Sequence, residues 1–428
     1  MANRLPACLV SHRSIHRTYP RLFQPQPRRL RSETAGTAVL QVEQRPFACF
    51  LGLQVARSTA YCADHPVITP LTADSQISPP AAWLLRIAKV FEPLAAELLD
   101  QLQPKSCTRL GSEFYLVTGD LVERLDDPNV ARYLRWKMPV HHSWPCCPRT
   151  MPQFIEKASQ ALLRKFGEFT PQALLVSQLD PNSRDPYYRK LAANLRGRAL
   201  QVFPPFPAAA ADEQDGNQPS LFCLVGHEGL FCGLDTPRNC HGFHPGGTKF
   251  ITHNSATISR AGAKIAEALH FLRLYQPLPT AGAHWLELGA SPGGMTAELL
   301  ARGYRVTAID RAPMDARLDF STDLTFIRSD AAHFHPAAST RFDAILCDMN
   351  GETRESIEQV IRLAAQLVPG GLVIFTLKTA GASTLAHFQR LADSVAALAA
   401  SGGLRLFAQT HLTYNRREFT AFFRKDGV

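Results

Sequence analysis

The segment Leu286-Glu287-Leu288-Gly289-Ala290-Ser291-Pro292-Gly293-Gly294 joins a short apolar run to a helical one. Glycines at such a turn let the main chain approach a ligand, and the helix start behind it offers unpaired amides. A tight strand-to-helix turn also needs glycine for its own geometry, so the turn alone does not define a site. Two acids sharpen it. Asp310 closes the run Val306-Thr307-Ala308-Ile309-Asp310, a place where a carboxylate can accept from ribose hydroxyls. Asp330 closes Phe326-Ile327-Arg328-Ser329-Asp330, where it can meet an adenine amino group. Three polar strand ends on one sheet edge describe a nucleoside pocket, and the spacing lacks the G-x-G-x-x-G of dinucleotide sites. Lys378 adds an amine at the end of the apolar strand Leu372–Leu377, again the edge at which open α/β sheets bind ligands.

These groups need a frame. From about Ser255 the pattern is regular: helix Ser259–Leu272, strand His284–Leu288, the Gly-rich turn, helix Met295–Arg302, and strands Tyr304–Ile309, Leu324–Arg328 and Phe342–Cys347. Helix Arg354–Leu367, strand Gly371–Leu377, helix Ser383–Ala400 and strands Leu404–Thr410 and Phe419–Arg424 follow. Strands alternating with helices predict a Rossmann-like α/β domain over 251–428, a mostly parallel sheet with an antiparallel hairpin at one edge.

Residues 61–250 read as a separate α+β region. Ala82 to Leu102 has helical apolar spacing with a break at Pro93. Glu113–Val117 and Ala173–Val176 read as strands, Pro152–Phe166 as an amphipathic helix, and Phe203–Ser220 as a linker or long loop. Leu221–Val225 and Leu230–Leu234 flank Gly226-His227-Glu228-Gly229 as a hairpin. A Gly/Pro/His-rich connector, His241 to Gly247, leads into the C-terminal part.

The 428 residues, 45% hydrophobic and 19% charged, fit two or three domains and exclude collagen-like, coiled-coil and wholly disordered chains. No run approaches the roughly 18 uninterrupted apolar residues of a membrane span, so a soluble protein without membrane partners is expected. Lys and Arg number 28 against 21 acids up to Asn254, and 18 against 16 beyond it, so most of the +9 charge lies N-terminal. That permits a polyanionic partner. Ten cysteines without a secretory signal suggest reduced thiols in the cytoplasm. Residues 1–60 begin with an Arg-rich, acid-free leader: the composition of a mitochondrial transit peptide, and equally of a disordered tail. Pro20, Pro25 and Pro27 oppose the amphipathic helix of a transit peptide and favour the second reading.

The loop Gly289-Ala290-Ser291-Pro292-Gly293-Gly294 resembles the S-adenosyl-L-methionine loop of FtsJ-type RNA 2′-O-methyltransferases, and the likeness runs from about Ser255 to Lys425. Lys264 in Ser259-Arg260-Ala261-Gly262-Ala263-Lys264 is similar to the family's SRxxxK helix. With Asp348, Lys378 and Glu418 it matches, in order, the family's Lys-Asp-Lys-Glu tetrad. Met295 stands where the family loop has an aromatic, and Glu287 where it has Asp, with the same charge. The long N-terminal region looks most like the RlmM-type branch, which methylates a cytidine ribose of large-subunit ribosomal RNA and carries a THUMP-containing RNA-binding region.

The resemblance implies S-adenosyl-L-methionine as cofactor, held by Glu287, Gly289, Ala290, Ser291, Pro292, Gly293, Gly294, Met295, Asp310, Asp330 and Asp348. It implies RNA, foremost ribosomal RNA, as partner and substrate. Lys378 would be the base, with Lys264, Asp348 and Glu418 completing the site. A ribose 2′-OH is a poor nucleophile, so a base must take its proton as the methyl–oxygen bond forms. A lysine serves only when neutral; burial and Lys264 would lower its pKa, whereas Asp348 would raise it. Taken singly, Lys264 fits a solvated helix face, Asp348 a helix cap, and Glu418 a surface pair with Arg416 or Arg417. Their joint order around one loop favours the tetrad.

Two other readings stay in view: an RNA-binding protein whose methyltransferase fold has lost turnover, and a methyltransferase acting on a protein or small molecule. Cys223, Cys232, Cys240, His241 and His244 lack the paired-knuckle spacing of structural zinc. Cys146-Cys147 cannot easily ligate one ion, so no metal is expected. His141 and His142 near Trp144 suit buried packing better than base stacking. A monomer is the default.

Overall fold

The computed structural model of the chain describes residues 79–427 apart from 81, 147–149, 182, 184, 250 and 252–256. The expectations for residues 1–60, and for Cys147, lie outside the described residues. Three sheets follow one another along the chain.

The first has the order β2-β3-β1-β4, built from β1 (Ala82–Ile87), β2 (Ser106–Leu110), β3 (Phe114–Thr118) and β4 (Leu134–Val140). All its pairings are antiparallel. Helix α1 (Ala95–Leu102) and two single turns, α2 (Val122–Leu125) and α3 (Pro128–Ala131), complete a β-α-β-β-α-β pattern. The helix expected from Ala82 is therefore a strand up to Ile87, and only the part after Pro93 is α-helical. Every residue of β1 is buried, because the strand is central and covered on both faces. Its run is apolar except for Arg86 and shows no alternation, so periodicity cannot tell it from a buried helix.

The second sheet has the order β5-β8-β7-β6: β5 (His142–Trp144), β6 (Leu174–Gln178), β7 (Ser220–Gly226) and β8 (Gly229–Asp235). Strands β7 and β8 form the expected hairpin about His227-Glu228. Helices α4 (Met151–Phe166) and α5 (Pro186–Val202) cover this sheet. Helix α5 carries little amphipathic pattern, and its signal is the start: Asp185 caps Tyr187 N with Pro186 at the first turn.

The third sheet has the order β11-β10-β9-β12-β13-β15-β14. Its strands are β9 (His284–Leu288), β10 (Arg305–Asp310), β11 (Leu324–Arg328), β12 (Phe342–Cys347), β13 (Leu367–Lys378), β14 (Leu404–Thr410) and β15 (Glu418–Lys425). Strands β9 to β13 run parallel, and β15 inserts antiparallel between β13 and β14. Helices α6 (Ala261–Leu272) and α7 (Gly294–Ala301) cover one face. Helices α8 (Thr353–Leu363) and α9 (Leu385–Ser401) cover the other. This is the Rossmann-like arrangement expected, and the strand order reverses between β9 and β12, the switch point at which such sheets open a crevice.

One apolar cluster runs from the first sheet into the third. Phe91 stacks on Phe419 with ring centroids 5.1 Å apart, and Tyr133 meets the same ring edge-on at 5.2 Å. Phe419 directly follows Glu418, so the N-terminal region packs behind a strand that carries a candidate site residue.

Candidate active site

At the end of β9 the chain turns through Gly289 at φ +80°. A Cβ there would lie 2.9 Å from the Met349 main chain, so only glycine lets the turn lie against the end of β12. Gly293, at φ +104°, makes the turn into α7. Between these strand ends opens a cleft of about 560 Å³. Glu287, Gly289, Ala290, Ser291, Pro292, Gly294, Met295, Asp310, Asp330 and Asp348 all line it. Gly293 does not; it shapes the turn.

Asp310 is already engaged: Ser291 N donates to Oδ2 at 2.9 Å and Ala312 N to Oδ1 at 2.8 Å. The carboxylate therefore holds the Gly-rich loop in place and keeps lone pairs for a ligand. Asp330 caps the turn after β11 through Ala332 N and lies 3.6 Å from the Arg311 guanidinium. Glu287 is buried; Thr296 Oγ1 donates to its Oε2 at 2.7 Å, while Oε1 has no hydrogen-bond partner among the described residues. Burial, with Asp348 and Asp310 nearby, pushes its carboxyl up to about 8 against the Thr296 hydrogen bond. Glu287 is thus held toward its protonated form, unlike an ordinary carboxylate.

Beside the cleft four head groups close a ring. Lys264, on α6, places Nζ 3.0 Å from both Asp348 oxygens and 2.6 Å from Glu418 Oε1. Lys378, ending β13, places Nζ 2.7 Å from Asp348 Oδ1 and 3.0 Å from Glu418 Oε2. Lys264 and Glu418 are buried, and Lys378 keeps about a fifth of its side chain exposed. Burial opposes the charge on Asp348 and on Lys378, and the opposite charges overcome it. Lys264 and Lys378 hold Asp348 below its usual carboxylate range, and Asp348 and Glu418 hold Lys378 above its usual amine range. The direction of the Lys378 shift, open in the sequence, is upward.

The segment 411–417 delivers Glu418, and its anchors escaped sequence reading. From β4, Arg135 donates to His411 O at 3.4 Å and Leu412 O at 2.6 Å. Glu267 on α6 accepts from Thr413 Oγ1 at 2.6 Å. Partners 276 positions apart leave no local signal. The remaining cysteine and histidine candidates are scattered: Cys223 and Cys232 are strand partners inside the second sheet, and His241 Nδ1 pairs with Leu134 O. His142 packs edge-on against Trp144 at 4.5 Å.

A doubly wound sheet with a loop-and-acid cleft at its switch point and a lysine–carboxylate ring beside it defines a methyltransferase-type domain. Residues 257–409 match the family described as FtsJ-like methyltransferase. The chain is similar to a Ribosomal RNA large subunit methyltransferase M from Halorhodospira halophila, 32% identical over 170 residues, 39% of this chain and 47% of that protein. A protein of the same name from Shewanella frigidimarina is 26% identical over 287 residues, 63% of this chain and 74% of that one. The match spans about half the length of the first of these relatives. Among solved structures, the fibrillarin pre-rRNA processing protein of Methanococcus jannaschii is 16% identical with a TM-score of 0.31, over 51% of this chain and 93% of that one.

Proposed function

We propose that the protein transfers a methyl group from S-adenosyl-L-methionine to a ribose 2′-OH of RNA, and of large-subunit ribosomal RNA in particular. The observation that carries this reading is the ring of Lys264, Asp348, Lys378 and Glu418 at the rim of the cleft. The cofactor would supply a methyl group on a positively charged sulfonium. The residues present suit it: Gly289 leaves room at the switch point, Asp310 and Asp330 offer carboxylates at two strand ends, and Glu287 is a buried acid that gains its charge beside a cation.

Lys378 is the base. It is the more exposed of the two lysines, on the strand end that faces solvent beside Asp348. Lys264, Asp348 and Glu418 fix its amine in place, so that the 2′-OH meets it in line with the donor methyl. A substrate sugar that covers Lys378 removes water from the amine, and a nearby cation acts in the same direction; both ease loss of its proton. The two sheets ahead of the catalytic domain, with exposed Lys157, Arg164, Lys165, Arg189 and Lys190 on α4 and α5, form the RNA-binding, THUMP-like region. Among the described residues no helix is long and apolar enough to cross a membrane, and the reading places the protein in the cytoplasm.

The test is transfer of labelled methyl to RNA. Wild-type protein labels RNA, and Lys378→Ala binds the cofactor but loses turnover by about 10²–10⁴-fold, the usual worth of a general base. Label found in protein or small molecules instead, or full turnover by Lys378→Ala, overturns the assignment.

A further inference from the structure

Outside the cleft, three metal-ligating side chains from three separate segments converge. Asp212 lies in the loop after α5, His244 in the connector before the catalytic domain, and His270 on α6, six residues after Lys264. One ligand atom from each lies within 4.8 Å of the others. Asp212 Oδ1 and His270 Nδ1 are 3.3 Å apart. Two ligands of one tetrahedral zinc stand about 3.3 Å apart when each bond is about 2.0–2.1 Å.

The centre of the group already attracts a cation. Lys249 Nζ donates to Asp212 Oδ1 at 2.8 Å and to His270 Nδ1 at 3.2 Å. An ammonium has no lone pair to offer, so His270 Nδ1 is the unprotonated nitrogen and its lone pair points at the shared centre. His244 Nε2 is buried with no hydrogen-bond partner among the described residues, and the His244 and His270 rings are 5.4 Å apart. A cavity of about 30 Å³ adjoins both imidazoles.

We infer that Asp212, His244 and His270 form a Zn²⁺ site in which the Lys249 ammonium stands in for the metal and must swing out when it binds. Two imidazoles and one carboxylate make a borderline donor set that suits zinc, with water in the fourth position. The bound ion would tie the loop after α5 and the connector to the helix that presents Lys264. The site stands apart from the proposed methyl transfer, and neither reading depends on the other.

The experiment titrates the full-length protein with Zn²⁺ by calorimetry and with Co²⁺ by absorption. Lys249→Met removes the nearer of the two cations beside Asp212, the Arg273 guanidinium being 3.9 Å from the same oxygen, and is expected to bind one equivalent at least tenfold more tightly than wild type. Adding His270→Ala or His244→Ala to Lys249→Met should abolish that equivalent, with Co²⁺ showing tetrahedral bands and no thiolate charge transfer. The inference is overturned if Lys249→Met binds no more tightly than its His270→Ala double variant, or if the Co²⁺ spectrum shows thiolate ligation. Circular dichroism of each variant confirms that loss of binding is not loss of fold.

Discussion

Lys378 and Glu418 face each other across the antiparallel pair β13–β15, register partners with Nζ and Oε2 3.0 Å apart. The pairing fixes half of the ring by backbone hydrogen bonding alone. Asp348, one residue past β12, and Lys264, from α6, close the other half. Three of the four groups are therefore set by sheet register, and only Lys264 depends on how a helix docks.

Asp348 sits between two ammonium groups, and its loss should be costly. Because its pKa is held below the ordinary 3.8, its stabilising contribution is present above pH 3.8 and fades as pH falls through the lowered value. Asp348→Asn should destabilise the protein by about 3–5 kcal/mol in denaturant titrations at pH 7. The same change removes the strongest charge holding the proton on Lys378, so the alkaline rise of any residual methyl transfer should move to lower pH.

Glu287 behaves in the opposite sense. Its carboxyl is raised to about 8 from an ordinary 4.5, so the unfolded state releases its proton first and the native state loses stability as pH rises from 4.5 to 8. Glu287→Gln should gain stability relative to wild type over that window and hold the gain above it, each pH unit of displacement being about 1.4 kcal/mol. Cofactor binding by wild type should release a proton near pH 7, visible as a dependence of calorimetric heat on buffer ionisation, and Glu287→Gln should lose it.

Gly289→Ala asks an L-residue to hold φ +80° with its Cβ 2.9 Å from the Met349 main chain. The left-handed conformation alone costs about 1–2 kcal/mol, and the clash must be relieved by moving the end of β12 away from the loop. The expected result is at least a tenfold loss of cofactor affinity in a protein that still melts cooperatively.

Arg135 couples the first sheet to the segment before Glu418. Arg135→Met leaves the His411 carbonyl without its donor and the Leu412 carbonyl with Asn415 N alone, at a cost of about 1–3 kcal/mol for the group left unpaired. Methyl transfer should fall with cofactor affinity unchanged, since the cleft lies on other strands.

Strands of the third sheet were legible because each is a short apolar run bounded by turn residues, and Leu324–Arg328 and Phe342–Cys347 fall where hydropathy puts them. The cleft was legible for the same reason: Gly289, Asp310 and Asp330 each follow or end such a run. The first sheet was not. β1 is buried on both faces, and β4 hides Arg135 and Lys137 in a run whose seven residues are all buried, so neither shows an alternating face. Convergence of Lys264 with Asp348 is a matter of helix docking, which no local pattern encodes. The Asp212–His244–His270 group has no local signal for the same reason: the neighbours of His244 come from a loop and a helix distant in sequence.

The most direct test of methyl transfer to a ribose asks where the label lands. RNA treated with the protein and methyl-labelled cofactor is hydrolysed in alkali, which cuts every phosphodiester except one following a 2′-O-methyl ribose. The account predicts label in a single alkali-resistant dinucleotide for wild type and none for Lys378→Ala. Label released on mononucleotides would place the methyl on a base and contradict it.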